Sequence, residues 1–441
     1  MSTTDPGSEP ASAPDLFADV RIRHLWGTFV YAIGSSMVGV VAAYTVYKQS
    51  NSVAITGLIV VCSSLPTLVL PGPATYLARV WGGPKLYVVS RVAIGIVALF
   101  PVGLVIAGRL STASLLVWFL VTGILYALSG SSTGLVRAMI AAPGKVPEFN
   151  GDLAKYGSAG TLIGMLSAGF VYAAVGAGWV FLFGAIASVI EGLSVIRVLK
   201  RAPLRGQPRE RFRIALDVYR TNRGLRATCL FSLWCFVVGG YAVTLPAIAS
   251  SIGQSAEYLS VLQTATIVGG LFIGWAMGYV HGRFCWGQTQ RVCFLIVGVG
   301  LVGMAVMLQA KGGATLTLIV VVLMLIPIGF AVNLDMTILG SIIQIFTPEG
   351  TRNAVMTGYA LIPAIFVPLG QEAIGITADK LSVAGALGIL AVIVLVSVVF
   401  DPRISLRAAI DSLNESDTPP SHIPTLVHVD DVLGGGDADP S

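Results

Sequence analysis

The chain has 441 residues, of which 55% are hydrophobic and 11% are charged, with a net charge of +5 and a mean hydropathy of +0.83. Soluble domains carry about 25% charged residues, so this composition excludes an ordinary soluble enzyme, a disordered chain and a nucleic-acid-binding domain. Since a membrane-spanning helix needs about 20 mostly apolar residues, the apolar positions suffice for about twelve such helices.

Apolar runs along the chain predict six membrane-spanning helices followed by six more. The first set is predicted at residues 25–47, 53–76, 86–108, 113–136, 157–176 and 178–199. The second set is predicted at residues 227–250, 258–280, 290–309, 315–340, 354–377 and 381–400. The chain is therefore divided into a disordered tail (1–20), an N-terminal bundle (21–199), a basic linker (200–226), a C-terminal bundle (227–400) and an acidic disordered tail (401–441).

The basic residues predict the orientation in the membrane. With the N-terminus in the cytoplasm, 23 Lys and Arg residues fall on the inner side and 4 on the outer side. Both termini are therefore expected in the cytoplasm, and the number of membrane-spanning helices is expected to be even. The same distribution explains the positive net charge without a nucleic-acid partner.

The two sets of helices resemble each other in sequence. The segment Val146–Asn150 precedes the fifth predicted helix, and Thr347–Thr351 precedes the eleventh about 200 residues later. Arg91 and Arg291 begin the third and ninth helices with the same offset. A constant offset indicates a duplicated six-helix unit, and such repeats place a substrate site at their interface near the middle of the membrane.

The sequence resembles the major facilitator superfamily, and within it the bacterial branch of enterobactin-exporter-like and macrolide-efflux-like proteins. The resemblance covers about residues 20–400. The segments that carry it are Arg23–Trp26, Tyr47–Ser52, Val146–Leu153, Asp217–Leu225, Leu245–Ile248, Ile252–Leu259 and Pro348–Arg352.

Two family motifs are altered in this chain. Between helices two and three, Ala78 stands beside Arg79 where the family has an acid that helps to latch the two halves on the cytoplasmic side. In helix five, Gly164–Gly169 lacks the proline of the motif associated with exporters.

The resemblance implies an all-α membrane protein with twelve transmembrane helices in two pseudo-symmetric six-helix bundles around a central cavity. Helices one, four, seven and ten would line that cavity. The implied function is secondary active transport, namely proton-coupled export of a drug, a secondary metabolite or a siderophore. An uptake permease and a transport-inactive membrane sensor or scaffold are the alternatives. We expect a small-molecule substrate, protons and the lipid bilayer as partners, with no cofactor and no enzymatic activity, because the sequence has no ATP-binding G-x-x-x-x-G-K-[ST] segment.

Three acids lie inside predicted spans and are candidates for proton coupling, because an intramembrane charge costs a few kcal/mol. Asp335 on the tenth helix is the first candidate, Glu372 on the eleventh is the reserve, and Glu191 on the peripheral sixth helix is the third. The alternative for each is a neutral carboxyl group, or one paired with a neighbour near the membrane interface.

Arg137, Asn333 and Arg79 are candidates for substrate binding or gating. Arg137 ends the fourth helix and either pairs with an acid or an anionic substrate, or is one more cytoplasmic positive charge. The predicted spans hold no Lys or Arg deep inside, which favours a neutral or cationic amphiphilic substrate. The five cysteines have no metal-ligand spacing and no histidine lies deep in a span, so no metal site is predicted.

Overall fold

The computed structural model describes residues 17–142, 145–201, 229–253, 255–273, 286–310, 313–346 and 352–399. Helix is the regular structure found in these ranges. The helices, numbered in chain order, are α1 (Ala18–Ser50), α2 (Val53–Val69), α3 (Pro71–Trp81), α4 (Gly83–Val97), α5 (Leu99–Ile106), α6 (Thr112–Ile140), α7 (Val146–Val175), α8 (Ala177–Ser194), α9 (Val198–Arg201), α10 (Cys229–Gly253), α11 (Ala256–Leu271), α12 (Trp286–Gln309), α13 (Ala314–Phe346), α14 (Arg352–Lys380) and α15 (Val383–Val399). Most of the predicted tails and linker lies outside the described residues.

The lengths and compositions of these helices fit a membrane protein. Within the described ranges, nine helical segments are long and apolar enough to cross a membrane, and α2 with α3 makes a tenth if that bent pair is one span. α15 is apolar but shorter. Large apolar side chains such as Ile106 and Trp179 are exposed on the outer surface, which is expected where helices face lipid.

The second predicted helix, at residues 53–76, is not one straight span. α2 ends at Val69, α3 begins at Pro71, and the two are bent by 62°. Pro71 lacks a backbone N–H and disfavours helical backbone at the preceding Leu70, so the helix breaks there.

The fifth predicted helix begins earlier than its apolar run. The apolar run predicts a helix at residues 157–176, whereas α7 extends over Val146–Val175. Pro147 lies in the first turn, where its missing N–H costs no helical hydrogen bond. The polar residues between 148 and 156 therefore belong to the first turns of a long helix.

Helix packing follows the same pattern in both bundles. In the N-terminal bundle, α1 packs against α7 and α8, α2 against α6, and α4 against α6 and α8. In the C-terminal bundle, α10 packs against α14, α11 against α13, and α12 against α13 and α15. Two further pairs, α2 with α14 and α7 with α11, join one bundle to the other. This repetition fits the predicted pair of pseudo-symmetric bundles.

The molecule has two ends, which we call near and distal. At the near end, where α1 begins, Arg21 Nη1 donates a hydrogen bond to the Ile140 carbonyl at 3.2 Å. At the distal end α1 stops at Asn51, whose φ of 51° is a left-handed conformation that asparagine tolerates. Gln49 Nε2 donates to the Leu110 carbonyl there at 3.0 Å, which ties the α1–α2 turn to the start of α6.

Candidate functional site

The two bundles contact each other at the distal end along α2 and α14. We call this contact the α2–α14 seam, formed by residues 52–57 and 371–379. At Gly375 the two backbones are so close that an added Cβ would lie 2.8 Å from the Cα of Ala54. Glycine permits this approach because it has no side chain. The seam is thus a contact between backbones, which a larger residue at this position would force apart.

Asp379 in the last turn of α14 caps the N-terminus of α2. Its carboxylate accepts a hydrogen bond from the Ser52 hydroxyl at 2.5 Å. It also accepts bonds from the backbone N–H groups of Val53 and Ala54 at 2.8 and 3.2 Å. The first N–H groups of a helix have no partner within the helix, and the helix dipole favours an anion there. A carboxylate of one bundle therefore satisfies the helix terminus of the other.

Glu372 lies two helical turns before Asp379, on the face of α14 that meets α2. Its Oε1 atom is 3.3 Å from the position that a Cβ would take at Gly57 of α2. This oxygen is buried and has no hydrogen-bond partner within the described part of the chain. Burying a polar oxygen without a partner costs free energy, so a proton or cation that binds there is stabilised.

A second contact joins the bundles at the distal end, between α7 and α11. The Gly169 N–H donates a hydrogen bond to Ser260 Oγ at 2.6 Å, and Ser260 is fully buried. A Cβ added at Gly169 would lie 2.4 Å from the Ala256 carbonyl oxygen. The distal end is consequently held shut by two pairs of closely packed helices.

A buried ion pair lies inside the N-terminal bundle, between α4 and α8. Arg91 Nε lies 3.2 Å from Glu191 Oε2, and the Tyr87 hydroxyl donates to Glu191 Oε1 at 3.0 Å. Arg91 is 7% exposed and Glu191 is 2% exposed. Of the two alternatives for Glu191, the geometry supports pairing with a neighbour, although within the bundle rather than near the membrane interface.

The prediction that no Lys or Arg lies deep inside a span is wrong at Arg91. α4 begins at Gly83, so Arg91 lies about two turns inside the helix and not at its start. A buried guanidinium is tolerated there because Glu191 balances its charge.

Three aromatic rings surround the Arg91 guanidinium. Its central carbon lies 4.7 Å from the ring centre of Tyr31, 5.2 Å from that of Tyr126 and 5.3 Å from that of Tyr87. The hydroxyls of Tyr31 and Tyr126 are hydrogen-bonded to each other and so connect α1 with α6. We call Tyr31, Tyr87, Arg91, Tyr126 and Glu191 the Arg91 cluster. Because its members come from α1, α4, α6 and α8, the cluster holds four helices of one bundle together.

Arg137 lies near the Arg91 cluster, in the last turn of α6. Its charge acts on Glu191 and on His24, and its Nε atom is buried without a hydrogen-bond partner among the described residues. His24 is 1% exposed, and its Nδ1 is hydrogen-bonded to Ser194 Oγ at 3.0 Å. The structure thus brings Arg137 towards an intramembrane acid, but Arg91 is the residue that pairs with that acid.

Asp335 is fully buried in the C-terminal bundle. It lies close enough to Cys293 of α12 to act on its thiol electrostatically. Two turns earlier on the same face of α13, the Ile328 side chain is 2.9 Å from a Cβ position at Gly300 of α12. The first-ranked candidate for proton coupling therefore faces a helix of its own bundle and not the α2–α14 seam.

Asn333 lies on a different face of α13 from Asp335, as expected for residues two apart. Its Nδ2 donates a hydrogen bond to the Gly329 carbonyl at 2.8 Å and is 3.3 Å from a Cβ position at Gly270 of α11. Arg79 belongs to α3, and its side chain lies outside the described part of the structure. In the described ranges, no group of three or more His, Cys, Asp or Glu residues could hold a metal ion.

Sequence reasoning did not find the contact that Asp379 makes with α2 or the pairing of Arg91 with Glu191. Asp379 is the last acid before the turn that follows α14, and its partners on α2 are more than 320 residues away. Tyr87 and Arg91 are four residues apart and so share a helical face, a spacing that could have indicated a buried cation beside an aromatic ring.

Two helical bundles with matching internal packing, joined at one end, define the architecture of a membrane transporter built from repeats. The family model described as Major Facilitator Superfamily matches residues 25–370. The chain belongs to this superfamily and is a secondary transporter of small compounds. The nine or ten spans found in the described residues fit the twelve-helix arrangement of two bundles that was expected from the sequence.

Solved transporter structures share this fold at low sequence identity. A nucleoside transporter, NupG, has 13% identity and a TM-score of 0.67, with 89% of this chain and 99% of that chain covered. A bacterial homologue of the iron transporter ferroportin, inward-facing, has 16% identity and a TM-score of 0.63, with 90% and 99% covered. A bacterial homologue of the human lysosomal transporter Spinster, inward-facing and occupied, has 14% identity and a TM-score of 0.59, with 92% and 98% covered. A comparison with curated protein sequences gives no match.

Proposed function

We propose that this protein is a proton-coupled exporter of a small organic compound. The observation that carries the proposal is Glu372, whose buried oxygen has no partner at the contact between the two bundles. In alternating access, one repeat rocks against the other around a central site. The α2–α14 seam must separate when the distal end opens, so Glu372 then gains water. A carboxyl group whose hydration changes in this way can bind a proton in one state and release it in the other.

Glu372 replaces Asp335 as our leading candidate for the proton site. A coupling group has to change its surroundings when the bundles move. The charge of Asp335 interacts with the Cys293 thiol within the C-terminal bundle. Both residues move together if that bundle rocks as a rigid body, so the surroundings of Asp335 stay the same. Glu191 is already paired with Arg91 inside one bundle and stays the third candidate.

The orientation that we propose places the distal end outside the cell. The bias of 23 inner against 4 outer basic residues supports this direction. The closed distal end then makes the present conformation inward-facing, which is also the state of the ferroportin and Spinster homologue structures. The protein would act as a monomer in the bacterial cytoplasmic membrane, and the resemblance to efflux proteins supports export over uptake.

A neutral or cationic amphiphile is the substrate class that the charges favour. The one buried cation of the Arg91 cluster is balanced by Glu191, so it offers no net positive charge to an anion. Glu372 at the α2–α14 seam is either negative or neutral, so it does not attract an anionic substrate either.

A compound-sensitivity panel tests the proposed function directly. Cells that make the protein are expected to tolerate higher concentrations of at least one lipophilic cation or neutral amphiphile than cells that lack it, and to accumulate less of it. Dissipation of the proton gradient with a protonophore is expected to remove the difference. Greater accumulation in cells with the protein would mean uptake, and an unchanged panel together with an unaltered proton gradient would support the scaffold alternative.

Cysteine labelling tests the orientation. Single cysteines placed in the segment 200–226 and in the tail after residue 415 are expected to react with a membrane-impermeant maleimide only after the cells are opened, because both segments follow an even number of spans. A cysteine in place of Lys48, which is exposed at the distal end, is expected to react in intact cells. Reaction of the linker cysteine from outside would overturn the six-plus-six arrangement.

A further inference from the structure

We propose that Asp379 is a gating residue that latches the two bundles together at the distal end. The proposal rests on alternating access of the two bundles, and it does not depend on Glu372 being the proton site. The latch is the carboxylate of α14 seated on the first turn of α2, where it accepts one hydroxyl and two backbone N–H hydrogen bonds.

The position of this carboxylate makes it specific for the closed distal end. All three donors belong to the N-terminal bundle, while Asp379 belongs to the C-terminal bundle. Ser52 also accepts a hydrogen bond from the Ile55 N–H at 3.1 Å, so its hydroxyl is oriented by α2 itself. When the seam opens, Asp379 loses all three bonds at once, whereas the contacts inside each bundle are kept.

Close backbone packing makes the latch sensitive to small movements. Gly375 lies one turn before Asp379 and brings α14 against the backbone of Val53 and Ala54. Hydrogen bonds to a charged group weaken steeply with distance and misalignment. A rocking movement of a few ångströms at the seam therefore breaks the cap completely and does not merely stretch it.

The exposed position of Asp379 limits how strongly its carboxylate stabilises the closed distal end. Water can take over part of the lost hydrogen bonding at an exposed site, which lowers the net contribution of the three bonds. We expect removal of the carboxylate to raise the population that is open at the distal end by roughly five- to tenfold.

Hydrogen–deuterium exchange of the full-length protein in nanodiscs tests the latch without any substrate. In Asp379→Ala, amides of the first turn of α2 are expected to exchange faster, because their acceptor is gone. If Asp379 is a latch, amides of α7 around Gly169 are also expected to exchange about five- to tenfold faster. Those amides contact α11 and not α14, so only opening of the whole distal end reaches them.

Three further variants keep the test decisive. Asp379→Asn retains the size of the side chain and is expected to give a smaller increase at both places. Ser52→Ala removes one of the three bonds and also the acceptor of the Ile55 N–H, so it is expected to speed exchange in the first turn of α2 but to give the smallest increase around Gly169. Asp152→Ala removes an exposed carboxylate near the start of α7 that pairs with Lys155, and it is expected to change neither place.

Faster exchange confined to the first turn of α2 would show that Asp379 is a local helix cap and would overturn the latch. The measurement uses no substrate and no proton gradient. Its failure would therefore leave the proposed role of Glu372 untouched, and failure of that role would not alter the exchange result.

Discussion

Replacement of Arg91 with methionine is expected to destabilise the N-terminal bundle by about 3–5 kcal/mol, because it leaves the Glu191 carboxylate buried without its partner. Tyr87 would still donate one hydrogen bond to Glu191, but one neutral hydroxyl does not replace a guanidinium. The rings of Tyr31 and Tyr126 would also lose their contact with the cation, which is worth about 0.5–2 kcal/mol. The measurement is thermal and denaturant-induced unfolding of the purified protein.

A double replacement separates the charge from the packing. Arg91→Met combined with Glu191→Gln removes both charges, and it is expected to recover most of the stability, because a buried ion pair is often replaced by neutral groups at little cost. The exposed pair of Lys155 with Asp152, whose atoms lie 3.2 Å apart, is the matched control. Lys155→Met is expected to cost less than about 1 kcal/mol. If Arg91→Met costs no more than Lys155→Met, the Arg91 cluster does not hold the bundle together.

Replacement of Glu372 with glutamine is expected to abolish accumulation of substrate against a gradient, so that the concentration ratio across the membrane falls to about one. Glutamine keeps the shape of the side chain but cannot release a proton. Exchange of labelled for unlabelled substrate down a gradient needs no proton and is expected to persist. Transport of a compound found in the sensitivity panel, followed in everted membrane vesicles, measures both processes.

The three intramembrane acids are distinguished in the same vesicles. Asp335 is buried inside the C-terminal bundle, so its surroundings do not change when the bundles move. The Asp335→Asn variant is therefore expected to retain gradient-driven transport per folded molecule. Glu191→Gln is expected to act through stability, and correction for the amount of folded protein should restore its rate. Loss of accumulation in Asp335→Asn with retention in Glu372→Gln would return the assignment to Asp335.

The sequence predicts the helices well because hydropathy and helix length decide them. Some helix ends differ from the prediction by several residues, and two of the departures involve proline. Pro71 breaks α2 from α3 within one continuous apolar run. Pro147 allows α7 to begin 11 residues before the apolar run at 157, on residues that are polar but still helical. The apolar pattern does not reveal the break at Pro71 or the early start of α7, since neither changes the average hydropathy.

The candidate site is predicted less well because it is made by contacts across the fold. Glu372 is visible in the sequence as an acid within a span, but its approach to Gly57 on α2 is not. The apolar pattern places Arg91 at the start of a helix, and its pairing with Glu191 links residues 100 positions apart. Asp379 resembles an ordinary acid at a helix end until α14 is placed beside α2. The sequence shows the charge of each of these residues and its position along a helix. It does not show which residue of another helix each one contacts.

The measurement that tests proton-coupled transport most directly uses purified protein in liposomes that contain a pH-sensitive dye. Addition of a substrate found in the panel to wild-type liposomes is expected to change the internal pH in step with substrate entry, in the direction of proton exit. Liposomes with Glu372→Gln are expected to show substrate exchange without a change in pH. Substrate movement by the wild-type protein at constant internal pH would contradict the account, as would an undiminished pH change in Glu372→Gln.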